Sequence, residues 1–402
     1  MLEQIQIQNY KSCKDITIKL LFPLTAMIGK TGAGKTNVLS GCYWSCLLGF
    51  SGALPDTNQN DIQRGFSARF ICRIRDAMCY YDYRIVGKKN LKIYVQDRLS
   101  VTKGGKKEYI FSKIDGYQLK LSGYKNALYI PADHSGLAYI KEQLVQKRDL
   151  PNYMKDIKTF DNYIAGLLLD LSRVKYFGLY NMPDLGLFMI QDFDHWKENR
   201  LCNNDNMLFS FQYYDLFKNS PSAFAEMKTL LKTLGLIEDI QLSEMKAENE
   251  AGQEYDFIVW RFLMYGKALP FFMLSNGIRR IIWILFHLFY GKLSLLLIQE
   301  PEISIHAGLY AKLLSIFREY AGDRKIFIST YSEQILHRLT PDQVIYVVNK
   351  KGTTTVKYIK ERHKHRYLQD LGKHEDPTNK GFLTRLKFPG NMFKKSKIIS
   401  LS

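Results

Sequence analysis

Residues Gly29-Lys30-Thr31-Gly32-Ala33-Gly34-Lys35-Thr36 fit the pattern G-x-x-x-x-G-K-[ST]. They stand between a short apolar run at 23–28 (PLTAMI) and a stretch at 35–48 with the character of a helix. Glycines at these spacings let successive backbone N–H groups converge on one point, and a helix that starts there favours negative charge at its N-terminus. The chain therefore needs a buried strand to deliver the turn and a helix to leave it, which points to an α/β sheet. In this pattern Lys35 reaches the β and γ phosphates of a nucleotide and the Thr36 hydroxyl ligates Mg²⁺. Gly29, Lys30, Thr31, Gly32, Ala33 and Gly34 supply the backbone cradle.

Three later segments complete the chemistry-bearing set. The run Ser294 to Ile298 is apolar and ends in Gln299-Glu300-Pro301-Glu302. This puts carboxylates at the carboxyl edge of a parallel sheet, where ligands sit in such folds. Glu300 is the expected base or orienter of an attacking water, and Glu302 assists the geometry or meets a neighbouring subunit. Ser275-Asn276-Gly277 opens a helix with a basic first turn, Arg279-Arg280, and precedes Glu300 by one helix and one strand. The strand 326–330 (IFIST) runs into Tyr331 and Ser332.

Strand-like alternation at 2–8 and 15–20 predicts a hairpin, and aromatic, β-branched runs between 67 and 130 predict an antiparallel sheet beside the nucleotide core. The pattern turns helical from about 136 to 240, then strands and helices alternate again to about 350. Four parts follow: 1–135 with the phosphate loop and antiparallel strands, 136–240 a helical insertion, 241–350 the second half of the core, and 351–402 a basic tail. A formal charge of +18 favours polyanionic partners, and residues 350–402 hold 14 Lys and Arg against 4 Asp and Glu. That stretch is a nucleic-acid or partner-binding arm or a solvated tail; His363 and His365 within it lack further metal-ligand candidates. The six cysteines show neither CxxC pairing nor metal spacing. No apolar run is long enough to cross a membrane as a helix, which, with the polar N-terminus, points to the cytoplasm.

Taken in order, these segments resemble the ABC-type ATPase heads of the RecF, SMC and OLD group, and the bacterial ATPases of antiphage and abortive-infection operons. Ile7-Gln8-Asn9-Tyr10-Lys11-Ser12 is similar to I-x-N-F-[RK]-S, and Leu274 to Arg280 to L-S-x-G-x-x-R. Gln299 to Glu302 with Ile305-His306 resembles D-E-P-E…L-H-P, and Thr330-Tyr331-Ser332 resembles T-H-S. Tyr129 to Gly136 resembles an I-P-A-E-R-S-G stretch. The resemblance implies an ABC-type head that binds ATP and Mg²⁺ and pairs head to tail with a second copy. Ser275, Asn276 and Gly277 of one chain would then face the γ-phosphate held by Lys35 of the other.

Three departures bear on turnover. Gln299, expected beside Mg²⁺, replaces an acid; Tyr331 replaces the switch His; Ala307 replaces Pro. Slow hydrolysis is the expectation, in a scaffold or sensor that assembles as a homodimer or larger homo-oligomer and controls a separate effector, a nuclease or toxin, in antiphage defence. The alternatives are a RecF-like ATPase that binds duplex DNA and an assembly module in which ATP is structural.

Overall fold

The computed structural model describes residues 1–51, 62–87, 93–114, 116–122, 126–145, 161–179, 182–200, 202, 204–248, 252–332 and 338–359. His363, His365 and the tail beyond 359 lie outside the described residues. The strands are β1 (Leu2–Tyr10), β2 (Cys13–Lys19), β3 (Leu24–Ile28), β4 (Ile62–Ile74), β5 (Ala77–Gly87), β6 (Ile93–Lys103), β7 (Lys106–Lys113), β8 (Gln118–Leu121) and β9 (Leu128–Tyr129). They continue with β10 (Val174–Phe177), β11 (Phe188–Met189), β12 (Asp239–Glu248), β13 (Glu254–Met264), β14 (Lys267–Leu269), β15 (Leu295–Gln299), β16 (Lys325–Thr330), β17 (Val344–Lys350) and β18 (Thr353–Tyr358). The helices are α1 (Lys35–Ser51), α2 (Gly136–Val145), α3 (Asp161–Ser172), α4 (Ile190–Asn199), α5 (Asp205–Asn219), α6 (Pro221–Thr233), α7 (Asn276–Phe289) and α8 (Ala307–Tyr320).

One mixed α/β sheet runs β10-β15-β16-β3-β17-β18-β2-β1-β4-β5-β6-β7-β8-β9. Strands β10, β15, β16, β3 and β17 are mutually parallel, and from β2 to β9 every pairing is antiparallel. The antiparallel subdomain expected beside the core is thus its continuation, joined through β18 and the β1–β2 hairpin. A second sheet orders β11-β13-β12 with β14 on β13.

The parallel strands are buried on both faces, so they read as unbroken apolar runs. Their side chains alternate between two cores: Leu295, Leu297 and Phe327 face the core of α1 and the antiparallel sheet, while Leu296, Ile298, Ile326 and Ile328 face that of α5 to α8. Each such side chain contributes about 2 kcal/mol of apolar burial, so a charge anywhere in β15 would open one core or the other. In α1, Val38, Cys42, Ser45, Cys46 and Gly49 recur at helical spacing and are buried. Helix α7 carries Ile281 and Ile282, poor helix formers alone, yet it is held by a Ser275 cap and by burial around most of its circumference.

Two sequence boundaries are corrected. The stretch 136–240 holds α2 to α6 but is not wholly helical, because Val174–Phe177 pairs in parallel with β15 and Phe188–Met189 joins the second sheet. Runs of four and two residues are too short to show periodicity, and pairing with a buried neighbour decides them. The segment from 351, assigned to the tail, begins with β18, which lies between β17 and β2. Its Thr353-Thr354-Thr355 favours a strand, a signal masked by the basic composition around it.

Candidate nucleotide site

Strand β3 delivers the glycine turn and α1 leaves it, with Lys35 as the first helical residue. Gly32 and Gly34 have φ of 76° and 99°, backbone that L side chains rarely adopt. A Cβ on Gly34 would lie 2.1 Å from Thr354 Oγ1, and one on Gly29 would lie 2.5 Å from the Val347 carbonyl oxygen. The turn is therefore clasped from β17 and β18. Thr354 donates to the Ala33 carbonyl at 3.2 Å, shares a hydrogen bond of 2.7 Å with the Ser12 hydroxyl, and donates its backbone N–H to the Ser12 carbonyl at 2.8 Å. Asn37 Nδ2 donates to the same Ser12 hydroxyl at 2.7 Å. The resemblance pointed to Ser12; Thr354, in the supposed tail, was missed.

Lys35 is buried, with Nζ donating to the carbonyls of Gly29 (2.6 Å) and Lys30 (3.4 Å). The Tyr331 ring lies under the same ammonium, its centroid 3.4 Å away. Tyr331 thus touches the loop lysine through its π face, a contact that a desolvated cation favours.

Gln299 ends β15 between two hydroxyls. Its Nε2 donates to Thr36 Oγ1 at 3.1 Å, and its Oε1 accepts from Tyr176 OH at 2.8 Å. Tyr176 comes from β10 and packs against the ring of Tyr43 of α1 in a tilted pair, with centroids 5.9 Å apart. Sequence reasoning missed Tyr176, whose only sign was a short run inside a helical region. A cavity of about 460 Å³ opens beside Thr36, Tyr176 and Gln299 and reaches Lys175, Asp205 and Trp283.

Glu300 is buried and has φ of 46°, a left-handed backbone that costs a non-glycine residue on the order of 1 kcal/mol. Its N–H donates to the Ser329 carbonyl at 2.9 Å, and its carbonyl accepts from Arg280 Nη1 at 3.1 Å, while Arg280 Nη2 donates to the Gln299 carbonyl. Burial, then the nearby Glu302 carboxylate, raises the Glu300 carboxyl above its ordinary value, against Lys35 and Arg280. Glu302 Oε1 accepts from Thr330 Oγ1 (2.8 Å) and the Tyr331 N–H (2.7 Å). Of the two roles expected for Glu302, this one is the geometric: it ties the end of β16 to the acidic turn.

Ser275, Asn276 and Gly277 are not among these neighbours. Ser275 and Asn276 are exposed at the start of α7, where the Ser275 hydroxyl accepts from the Ile278 N–H at 3.3 Å. Gly277 packs on the acidic turn's far end, for a Cβ there would sit 2.2 Å from the Ser304 carbonyl. His306 caps α8, its ring nitrogen paired with the Leu309 N–H at 3.1 Å.

The described residues contain no cluster of three or more His, Cys, Asp or Glu fit for a metal. What they offer is the Thr36 hydroxyl beside a loop built for phosphate, the donor set that Mg²⁺ accepts when phosphates and waters complete its shell. Glu300, raised in basicity and carried on a left-handed backbone, has the chemistry to remove a proton from water. No helix among the described residues is long and apolar enough to cross a membrane.

A family model described as an AAA domain matches residues 4–254, well over half of the chain. The chain belongs to the AAA domain family. The match includes the glycine turn and the antiparallel strands and stops before Ser275, so the acidic turn and Tyr331 rest on geometry alone. No curated protein matches the chain. Among solved structures, an SmcHead bound to the C-winged helix domain of ScpA aligns over 91% of this chain and 99% of its own, at 11% identity and a TM-score of 0.48. The SMC head domain from Thermotoga maritima aligns over 89% and 99%, at 11% identity and a TM-score of 0.38. A Smc head with an extended coiled coil bound to the C-terminal domain of ScpA, derived from Pyrococcus furiosus, aligns over 92% and 99%, at 12% identity and a TM-score of 0.43.

Proposed function

We propose that this chain is an ABC-type ATPase head that binds ATP with Mg²⁺ on residues 29–36 and hydrolyses it slowly. The reading is carried by one observation: Lys35, Thr36, Gln299, Glu300 and Tyr331 converge where parallel strands β3, β15 and β16 end. Loop N–H groups and Lys35 hold the phosphates; Thr36, with Gln299 behind it, faces Mg²⁺; Glu300 takes the proton of the attacking water. Mg²⁺, when bound, neutralises phosphate charge and orients the γ-phosphate. Tyr331, already against Lys35, stands where a switch residue senses that phosphate, and a neutral phenol there supplies one hydrogen bond and no charge.

Two copies pair through their heads in this reading, with Ser275, Asn276 and Gly277 of each closing on the other's nucleotide. The exposed Phe272 and Met273, 63% and 60% accessible, flank that corner and give the contact an apolar rim. We place the protein in the cytoplasm as the ATP-driven sensor or scaffold of an antiphage complex with a separate nuclease or toxin; the support for that role is the sequence resemblance. The duplex-binding alternative draws on the face of β4 to β6, where Arg69, Arg84 and Arg98 line one cavity with Asp82, which pairs with Arg69 and Arg98. Hydrolysis stimulated by duplex DNA and abolished by salt would favour it.

Calorimetry with Mg²⁺ and a non-hydrolysable ATP analogue tests the reading. We expect saturable uptake that Lys35→Ala weakens on the order of 100-fold; uptake unchanged in that variant overturns it.

A further inference from the structure

Gln299 stands where its carboxamide has a choice of two orientations. Both neighbours are hydroxyls, Thr36 on one side and Tyr176 on the other, and a hydroxyl both donates and accepts. Either orientation is therefore satisfied, and the cavity beside Thr36, Tyr176 and Gln299 gives the amide room to turn. The orientation seen sends Oε1 to Tyr176 and turns the NH₂ group toward Thr36. A cation bound at Thr36 would meet an N–H donor, the wrong end of the dipole.

We infer that Tyr176 is a positioning residue that restrains Mg²⁺ binding by holding the Gln299 oxygen away from Thr36. This rests on the nucleotide reading above. A phenol donates well and accepts weakly, since its lone pairs are shared with the ring, so Tyr176 favours the orientation in which it receives Oε1. The Tyr43 ring packs against that of Tyr176 at a tilt, with centroids 5.9 Å apart. Bound Mg²⁺ would favour the turned amide: Thr36 would offer a lone pair to the cation and its proton to Oε1, leaving the NH₂ group with Tyr176 as its weak acceptor. The cost of that exchange lowers affinity for the cation without touching the phosphate cradle.

The test is a Mg²⁺ titration of analogue binding, read by calorimetry on the full chain, in a square of variants. With Gln299 in place, Tyr176→Phe frees Oε1, and the half-saturating Mg²⁺ concentration should fall about 3- to 10-fold, with affinity in EDTA unchanged. Gln299→Glu gives an oxygen to each neighbour, so in that background Tyr176→Phe should leave the Mg²⁺ requirement unchanged or raise it. This reversal is one that a packing role for the ring would not produce. The inference is overturned if Tyr176→Phe raises or leaves unchanged the requirement with Gln299 in place, or lowers it equally in both backgrounds. Were wild-type protein to take up no analogue even in EDTA or excess Mg²⁺, the nucleotide reading itself would fall; uptake with the wrong Mg²⁺ response sinks only the role of Tyr176.

Discussion

Each half of the long sheet buries a polar cluster, and the two are built to opposite ends. In the antiparallel half, Asp97 accepts from the N–H groups of Gly136 (2.9 Å) and Leu137 (3.1 Å) and from Tyr81 OH (3.1 Å). Lys113, fully buried, donates to the carbonyls of Pro131, Ala132 and His134. Burial raises the Asp97 carboxyl to about 6 and lowers the Lys113 ammonium, but the ligands of both are protein atoms that cap α2 and pin its approach. At the nucleotide corner, Lys35 rests on loop carbonyls and a ring, Glu300 sits in a strained turn, and Glu302 Oε2 and Arg280 Nε have no partner. A closed network fixes structure, whereas an under-satisfied one leaves groups available to a ligand.

The sharpest way to break this contrast is Glu300→Gln. We expect phosphate release to fall between about 100- and 10,000-fold while analogue binding persists; turnover at the wild-type rate would make the corner merely structural. Asp97→Ala should act in reverse. It leaves the Gly136 and Leu137 N–H groups without their acceptor and Tyr81 OH with only the Gly49 carbonyl at 3.5 Å, and costs on the order of 3 kcal/mol, seen as a lower melting temperature, while nucleotide affinity of the folded fraction stays the same. A loss of affinity without a loss of stability would erase the distinction between the clusters.

The smallest effect expected is on pH. Hydrolysis needs Glu300 as carboxylate, and its raised pKa means that activity is lost as pH falls through a value above the ordinary 4.5 of glutamate. Glu302→Gln removes the like charge and should move that acid limb downward in a rate–pH profile. An upward move would show that Glu302 acts on Glu300 through geometry alone.

The glycine turn, the acidic end of β15 and the strand before Tyr331 were legible because each is a local pattern with a fixed spacing. Gln299 and Tyr331 were legible as departures, yet their surroundings were not. Tyr176 reaches Gln299 across 123 residues, from a strand of four. Thr354 reaches Ala33 from inside a stretch whose charge spoke louder than its β-branched residues. Such contacts depend on which strands the topology makes neighbours, and no window of sequence holds that. Tyr129 to Gly136 shows the converse: a recognisable stretch whose carbonyls and N–H groups serve Lys113 and Asp97.

The Thr354 clasp also sets an order of events. Its hydroxyl bonds Ala33 across 321 residues, so a ribosome has nearly finished the described chain before the phosphate turn acquires its last wall. A nascent chain halted earlier would hold the glycine sequence without the shape that grips a triphosphate. Synthesis through Thr354 thus precedes the fully walled turn.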